Sequence, residues 1–415
     1  MSRVIAFCFL LLASVLGYLH IDSRPAWAPF VEDQPAETIH ISEQLPDATE
    51  ASKPVKSLKN TAPVKAVQPS LRLDWLPDTG APSVHAASLI ALKDGAVRAF
   101  WFAGSREGAP DVVINTAVFD PRASRWSTPT VVMDRVSAEK GLSRYIAKLG
   151  NPVPARMADG RMQLFFVTVS IGGWAGSSIS TVISDDEGLT WSQPQRLISS
   201  PLINLSTLVK SPAIAFADGR LGLPAYHEWI GRFGEFLRIE ANQVIDKRRM
   251  SSGRGSIQPA VFVDGAQEAS AFFRQTRSST QQKQIPVSET KDAGQSWVTT
   301  QDLEIANPNS ALAALTLANG TRLMVLNNIE AGRYRLVMVM RESNSPQWKV
   351  IQVLEDDESL ANDQRREFSY PYLVSVSGAD AHLVYTWDRK KIRHVYFPAS
   401  WFKYVSNGLK EKEAQ

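Results

Sequence analysis

The chain has a single cysteine, Cys8, in 415 residues. That excludes a disulfide framework, a cysteine-rich zinc site and an iron–sulfur cluster. An excess of one charge sign is also lacking, since 45 basic residues nearly cancel 42 acidic ones to leave +3. There is thus no electrostatic case for nucleic acid as a partner. Histidines number six, and no second one lies at a metal-ligand spacing from His227-Glu228. The glycine-rich stretch Gly172-Gly173-Trp174-Ala175-Gly176 has no Lys-Ser/Thr after it, so it reads as a rim loop rather than a phosphate cradle. Neither a metal nor a cofactor is implied. What is present, 44% hydrophobic and 21% charged residues, describes a globular chain.

Only one long apolar run exists. Arg3 is followed by Val4 to Leu19 without a charge. Sixteen helical residues span about 24 Å, a little short of a ~30 Å hydrocarbon core, which suits a signal core or a short anchor. The small-residue site Ala26-Trp27-Ala28 is distant and is followed by Pro29. We therefore expect residues 1–30 to be an uncleaved membrane segment, with a cleaved signal as the alternative. Arg3 stays cytoplasmic, so the rest lies in the cell envelope, periplasmic if anchored or secreted if cleaved. Residues 31–70 hold five prolines and no aromatic residue, and read as a flexible spacer.

From residue 71 short alternating strands begin, and one turn recurs: Asp94-Gly95, Asp159-Gly160, Asp218-Gly219, Asp264-Gly265, Asn319-Gly320 and Gly378-Ala379-Asp380. Asp-Gly and Asn-Gly accept the positive φ of a tight hairpin. The turns lie 46 to 65 residues apart. Periods of this size in an all-β chain predict propeller blades of four strands each. Six turns predict a six-bladed β-propeller over 71–405, with a polar tail at 406–415. The predicted inner strands open with polar residues: His85, Asn151, Lys210-Ser211, Gln258, Asn307 to Ser310 and Ser369-Tyr370. The strands after them end in Ser105-Arg106-Glu107, Tyr226-His227-Glu228, Arg274, Asn327-Asn328 and Trp387-Asp388-Arg389. Together they would ring one mouth of the channel, as a site for an anionic or heavily hydroxylated ligand. Trp174 and Trp229 are candidates to stack on a sugar there.

A second repeat has the form Ser-x-Asp-x-Gly-x-Thr-Trp, at Ser184 to Trp191 and, with changes, at Thr290 to Trp297. Weaker copies end at Trp126 and Trp348. These resemble the Asp-boxes of sialidase-like propellers, which are structural turns. Tyr370-Pro371-Tyr372-Leu373, with His382 to Tyr385 and Ile392 to Val395, is similar to the last-blade pattern of the sialidase (neuraminidase) superfamily, in its bacterial BNR-repeat branch. The resemblance covers about residues 75 to 398.

That resemblance implies an exo-glycosidase of the retaining type, acting on terminal acidic sugars of glycans or envelope polysaccharide. It assigns Tyr370 as nucleophile, Asp111 as acid/base with Glu107 behind it, and Arg274 and Arg333 as anion contacts. Glu228 or Glu367 would assist Tyr370, and Arg106, His85, Gln258 and Arg389 complete the substrate-binding set. Two positions depart from the pattern. His85 stands where the family has its first arginine, and Gln258 where it has the glutamate partner of the tyrosine. An amide cannot take a phenol proton. A carbohydrate-binding or scaffolding propeller without catalysis, or a glycosidase or lyase for another sugar, therefore stays open.

Overall fold

The computed structural model describes residues 2–19, 41–42, 69–200, 203–253, 255–276 and 283–413. Six antiparallel sheets form a ring. Blade 1 runs outward through Ser83–Ala91, Val97–Gly104, Val113–Asp120 and Arg125–Trp126; blade 2 through Lys148–Arg156, Met162–Val169, Ser177–Ser184 and Gln195–Arg196. Blade 3 starts at Leu208–Val209 and continues with Leu221–His227, Phe233–Glu240 and Gln243–Arg249. In blade 4 the strands are Ser256–Val263, Ala269–Gln275, Val287–Thr290 and Val298–Thr299. Blade 5 comprises Ala313–Thr316, Arg322–Leu326, Arg335–Arg341 and Trp348–Asp356. Blade 6 contains Phe368–Val374, Ala381–Trp387 and Lys391–Phe397, and its fourth strand is Arg72–Trp75 from the other end of the domain. That strand closes the ring.

All six foreseen turns join an innermost strand to its neighbour. In four of them the side-chain oxygen of Asp94, Asp159, Asp218 or Asn319 accepts from the amide two residues on, at 3.0 to 3.1 Å. This local bond is why Asp and Asn recur there. The two Asp-boxes lie between the third and fourth strands of blades 2 and 4. Asp292 Oδ1 accepts from Ser296 N at 2.8 Å, and Trp297 Nε1 donates to the Gly294 carbonyl at 3.2 Å. Left-handed backbone is taken by two successive residues in each box, Glu187 and Gly188, Ala293 and Gly294, rather than by glycine alone.

Phenylalanines, aliphatic side chains and buried tryptophans fill the gaps between blades. Helix Ala399–Glu413 follows blade 6 and packs Trp401 and Phe402 on the apolar faces of blades 5 and 6. The expected polar tail is therefore helical from 406 to 413. Ser2–Leu19 is an 18-residue helix, but among the described residues no helix is long and apolar enough to cross a membrane. The cleavage motif at 26–28 and most of the 31–70 spacer lie outside the described residues. Within that spacer, Ile41–Ser42 pairs in parallel with the outer strand of blade 5, opposite Trp348 and Lys349.

Candidate functional site

Four inner strands carry the same defect. The ladder slips between His85 and Ser88, Gly150 and Val153, Ile257 and Ala260, and Ser369 and Tyr372. At each slip one residue takes a positive φ: Ala86 (50°), Asn151 (43°), Gln258 (51°) and Tyr370 (55°). In three of them a proline follows, Pro152, Pro259 or Pro371, which has no amide to lose where the ladder is broken. A non-glycine residue in this region costs about 1–3 kcal/mol, a strain typical of functional sites. The repeated X-Pro pair is the sequence signal for it.

These bulges bring the predicted residues together. Gln258 Nε2 donates to the hydroxyls of Tyr226 and Tyr370, each at 3.2 Å, and its Oε1 accepts from Arg274 Nη1 at 3.1 Å. Arg274 Nε also donates to Asn309 Oδ1 at 2.7 Å. Asn151 Nδ2 reaches the Tyr226 hydroxyl at 3.3 Å. Arg333 bridges the Asn309 carbonyl (3.1 Å) and Glu367 Oε1 (3.0 Å). Arg389 grips Glu367 through two nitrogens and Glu107 Oε2 at 2.5 Å. Burial works to raise Glu367, but bonds from Ser369 and Arg389 and the charge of Arg333 hold it at about 2.

Three guanidinium groups, those of Arg274, Arg333 and Arg389, therefore converge at the mouth around His85. Two of them are neutralised by Glu367 and Glu107. Arg274 is held by neutral amides, and among the described residues none of its side-chain bonds is to a carboxylate.

His85 sits beneath this cluster, 1% exposed, with its ring 4.3 Å from that of Tyr370. Burial, then the charge of Arg389, pushes it down to about 3, so it is neutral. Both of its ring nitrogens lack a hydrogen-bond partner among the described residues. Its donor and acceptor nitrogens are shut away from solvent, under the Tyr370 ring.

Glu228 lies at the edge of the same network, its carboxyl raised by burial against the pull of Arg274 and Arg232. Asp111 does not join the cluster. It is exposed and accepts from the Ser105 amide and hydroxyl, both at 2.9 Å, which holds it below the ordinary carboxylate range. Arg106 is exposed beside it. Trp229 is 53% exposed, whereas Trp174 is half-buried under Lys148. Tyr226, Asn151 and Asn309 were legible as polar mouth residues, but their bonds cross between blades and carry no local signal.

A BNR repeat-like domain model matches residues 95–383. Among solved structures, the fold is similar to the Hadza microbial sialidase Hz136 at 14% identity and a TM-score of 0.60, over 76% of this chain and 65% of that one. It is similar to the NanB sialidase of Streptococcus pneumoniae at 12% and 0.60, over 77% and 69%. For the Trypanosoma rangeli sialidase the figures are 12% and 0.63, over 84% and 63%. The chain thus spans about two thirds of the length of these sialidases. At such identities the likeness is one of fold. No curated protein matches the chain in sequence. The repeat match, six blades and two Asp-boxes agree: the chain belongs to the BNR repeat-like domain family.

Proposed function

We propose that this mouth binds the terminal acidic sugar of a glycan or envelope polysaccharide and hydrolyses its glycosidic bond with retention. The observation that carries the proposal is Arg274. It is a guanidinium held in place by amides, with no carboxylate hydrogen-bonded to it among the described residues, and Gln258 links it to the Tyr370 hydroxyl. A sugar carboxylate is the natural partner for such a cation. Arg333 and Arg389 extend the positive field, and the neutral His85 lies under the Tyr370 ring.

A carboxylate nucleophile would be repelled by an anomeric carboxylate, whereas a phenol is neutral until it loses its proton. The Tyr370 hydroxyl gives its proton to Glu228 as its oxygen attacks the anomeric carbon; the bond to the leaving oxygen breaks, and that oxygen takes a proton from Asp111. Water then attacks the anomeric carbon and gives a proton to Asp111, the bond to the tyrosine oxygen breaks, and that oxygen recovers its proton from Glu228. Glu228, its carboxyl raised by burial, is the group suited to take and return the phenol proton. Asp111 has to leave Ser105 before it can serve the leaving oxygen. The N-terminal apolar helix supports a position at the cell envelope.

A second reading is favoured by one feature: the group meeting Tyr370 is an amide, not a carboxylate. On that reading the mouth binds acidic glycan without cleaving it. Purified full-length chain assayed on aryl glycosides of nonulosonic, uronic and neutral sugars separates the two. Release from an acidic glycoside, abolished in Tyr370→Phe and with KM raised about tenfold to hundredfold in Arg274→Ala, is the expected result. Tight glycan binding without turnover, unchanged in Tyr370→Phe, would establish the binding reading instead.

A further inference from the structure

Lys210 is a buried cation that the proposed reaction does not use. It directly follows the inner strand of blade 3 and is 5% exposed. Its Nζ donates to the Leu312 carbonyl of blade 5 at 3.1 Å and to the Pro371 carbonyl of blade 6 at 2.5 Å. In a ring of six, blade 6 lies opposite blade 3, so the side chain spans the central channel like a spoke.

An ammonium buried on carbonyls alone is costly, and an apolar side chain of similar volume would avoid that cost. Here the charge engages Pro371, the residue that follows Tyr370 at the bulge. Tyr370 stands there at φ 55° with its hydroxyl on Gln258 and its ring against His85. A backbone in that conformation persists only where its surroundings over-determine it. The Lys210–Pro371 bond is one such restraint.

We infer that Lys210 is a positioning residue, its ammonium pinning the Pro371 carbonyl and thereby fixing the Tyr370 hydroxyl at the mouth. The inference rests on Tyr370 being a working group, as proposed above. The charged and titratable groups facing Lys210 are Arg274 from blade 4 and Tyr372 from blade 6, whose ring centre is 6.0 Å from Nζ; blade 5 presents the Leu312 carbonyl. Burial, then the charge of Arg274, lowers the ammonium to about 7. The grip on Pro371 is therefore full below neutrality and weakens above it.

The test compares full-length wild type with Lys210→Met and Lys210→Arg. Lys210→Met should fold with a Tm at or above that of wild type, yet lose about 100-fold in kcat with little change in KM, as expected for a displaced reacting group. Lys210→Arg, charged at every pH, should restore most of the rate and remove the decline of wild-type activity above neutrality. A second readout needs no substrate: the ζ-carbon NMR signal of Tyr370 in ¹³C-tyrosine protein, assigned with Tyr370→Phe. It should shift between about pH 6 and pH 8 in wild type and stay fixed in Lys210→Arg.

If wild type turns over no glycoside, the hydrolase reading fails, and the ζ-carbon signal alone decides the role of Lys210. Should Lys210→Met not fold, wild type against Lys210→Arg still decides it. A Tyr370 signal indifferent to pH and to both substitutions would overturn the inference.

Discussion

Gln258 turns its amide nitrogen to two phenols, Tyr226 and Tyr370, and its oxygen to Arg274. With both N–H bonds given to tyrosine oxygens, it can orient Tyr370 but cannot accept its proton. Replacing Gln258 by Glu keeps the shape and puts a carboxylate oxygen about 3.2 Å from the Tyr370 hydroxyl. Arg274 would hold that carboxylate ionised. A base placed this way contributes on the order of 100-fold or more, so Gln258→Glu should raise kcat on an acidic aryl glycoside by about that factor. A rate that stays flat or falls would remove Tyr370 from the nucleophile's role. Much of this mouth could be placed from the sequence, because Tyr370, Gln258 and His85 lie near the start of inner strands and Arg274 near the end of the strand after one, positions that the recurring hairpin turns mark. Asp111 shows the limit. It lies on a loop, where no such mark applies, and two bonds to Ser105 turn it outward. Lys210 shows another limit, since its partners lie across the channel, 102 and 161 residues away in sequence.

The elements themselves were legible because hairpin and box chemistry is local, whereas the contacts between blades are not. Gly294 makes the distinction measurable. It has φ +81°, which any side chain resists, and a Cβ added there would also lie 2.4 Å from Phe236 Cε1 of the neighbouring blade 3. Gly219, in the hairpin of blade 3, has a similar φ of +74° with nothing within 4 Å of an added Cβ. Gly219→Ala should therefore cost only the backbone penalty, about 1 kcal/mol. Gly294→Ala adds overpacking against an aromatic ring, for about 3 kcal/mol in all. Urea unfolding of the two variants reads the difference as unequal drops in midpoint at similar slope. Equal drops would mean that the box glycine serves its turn alone and that the blade contact gives way freely. The Asp-box motif announces the turn, but nothing near it in sequence announces Phe236.

Closure of the whole ring depends on Arg72–Trp75, which joins blade 6 from the far end of the domain. Behind that strand the rings of His382 and His394 lie parallel and meet edge to edge, with His382 Nδ1 and His394 Nε2 3.0 Å apart. The pair packs against Phe119 and Trp126 of blade 1 and Tyr396 of blade 6, and Asp74 Oδ2 of the closing strand is 4.0 Å from His394. Burial pushes His382 down to about 4, slightly opposed by Asp380, and drives His394 down as well, helped by His382 and Arg72. Unfolded, each histidine titrates near 6.5. Above that pH neither state binds the proton and the pair has no pH-dependent effect. As pH falls from about 6.5 towards 4 the unfolded chain takes up protons that the folded ring refuses, so stability drops. His382 alone accounts for about 1.4 kcal/mol per pH unit, or about 3 kcal/mol across the window, levelling off below about 4. His382→Gln leaves an amide to meet His394 and removes this titration. Its unfolding free energy, followed from pH 7 to pH 4.5, should fall less steeply than that of wild type by about one proton's worth of slope. Identical slopes would place the acid-sensitive joint of the propeller elsewhere, with the buried His85 of the channel the next histidine to replace.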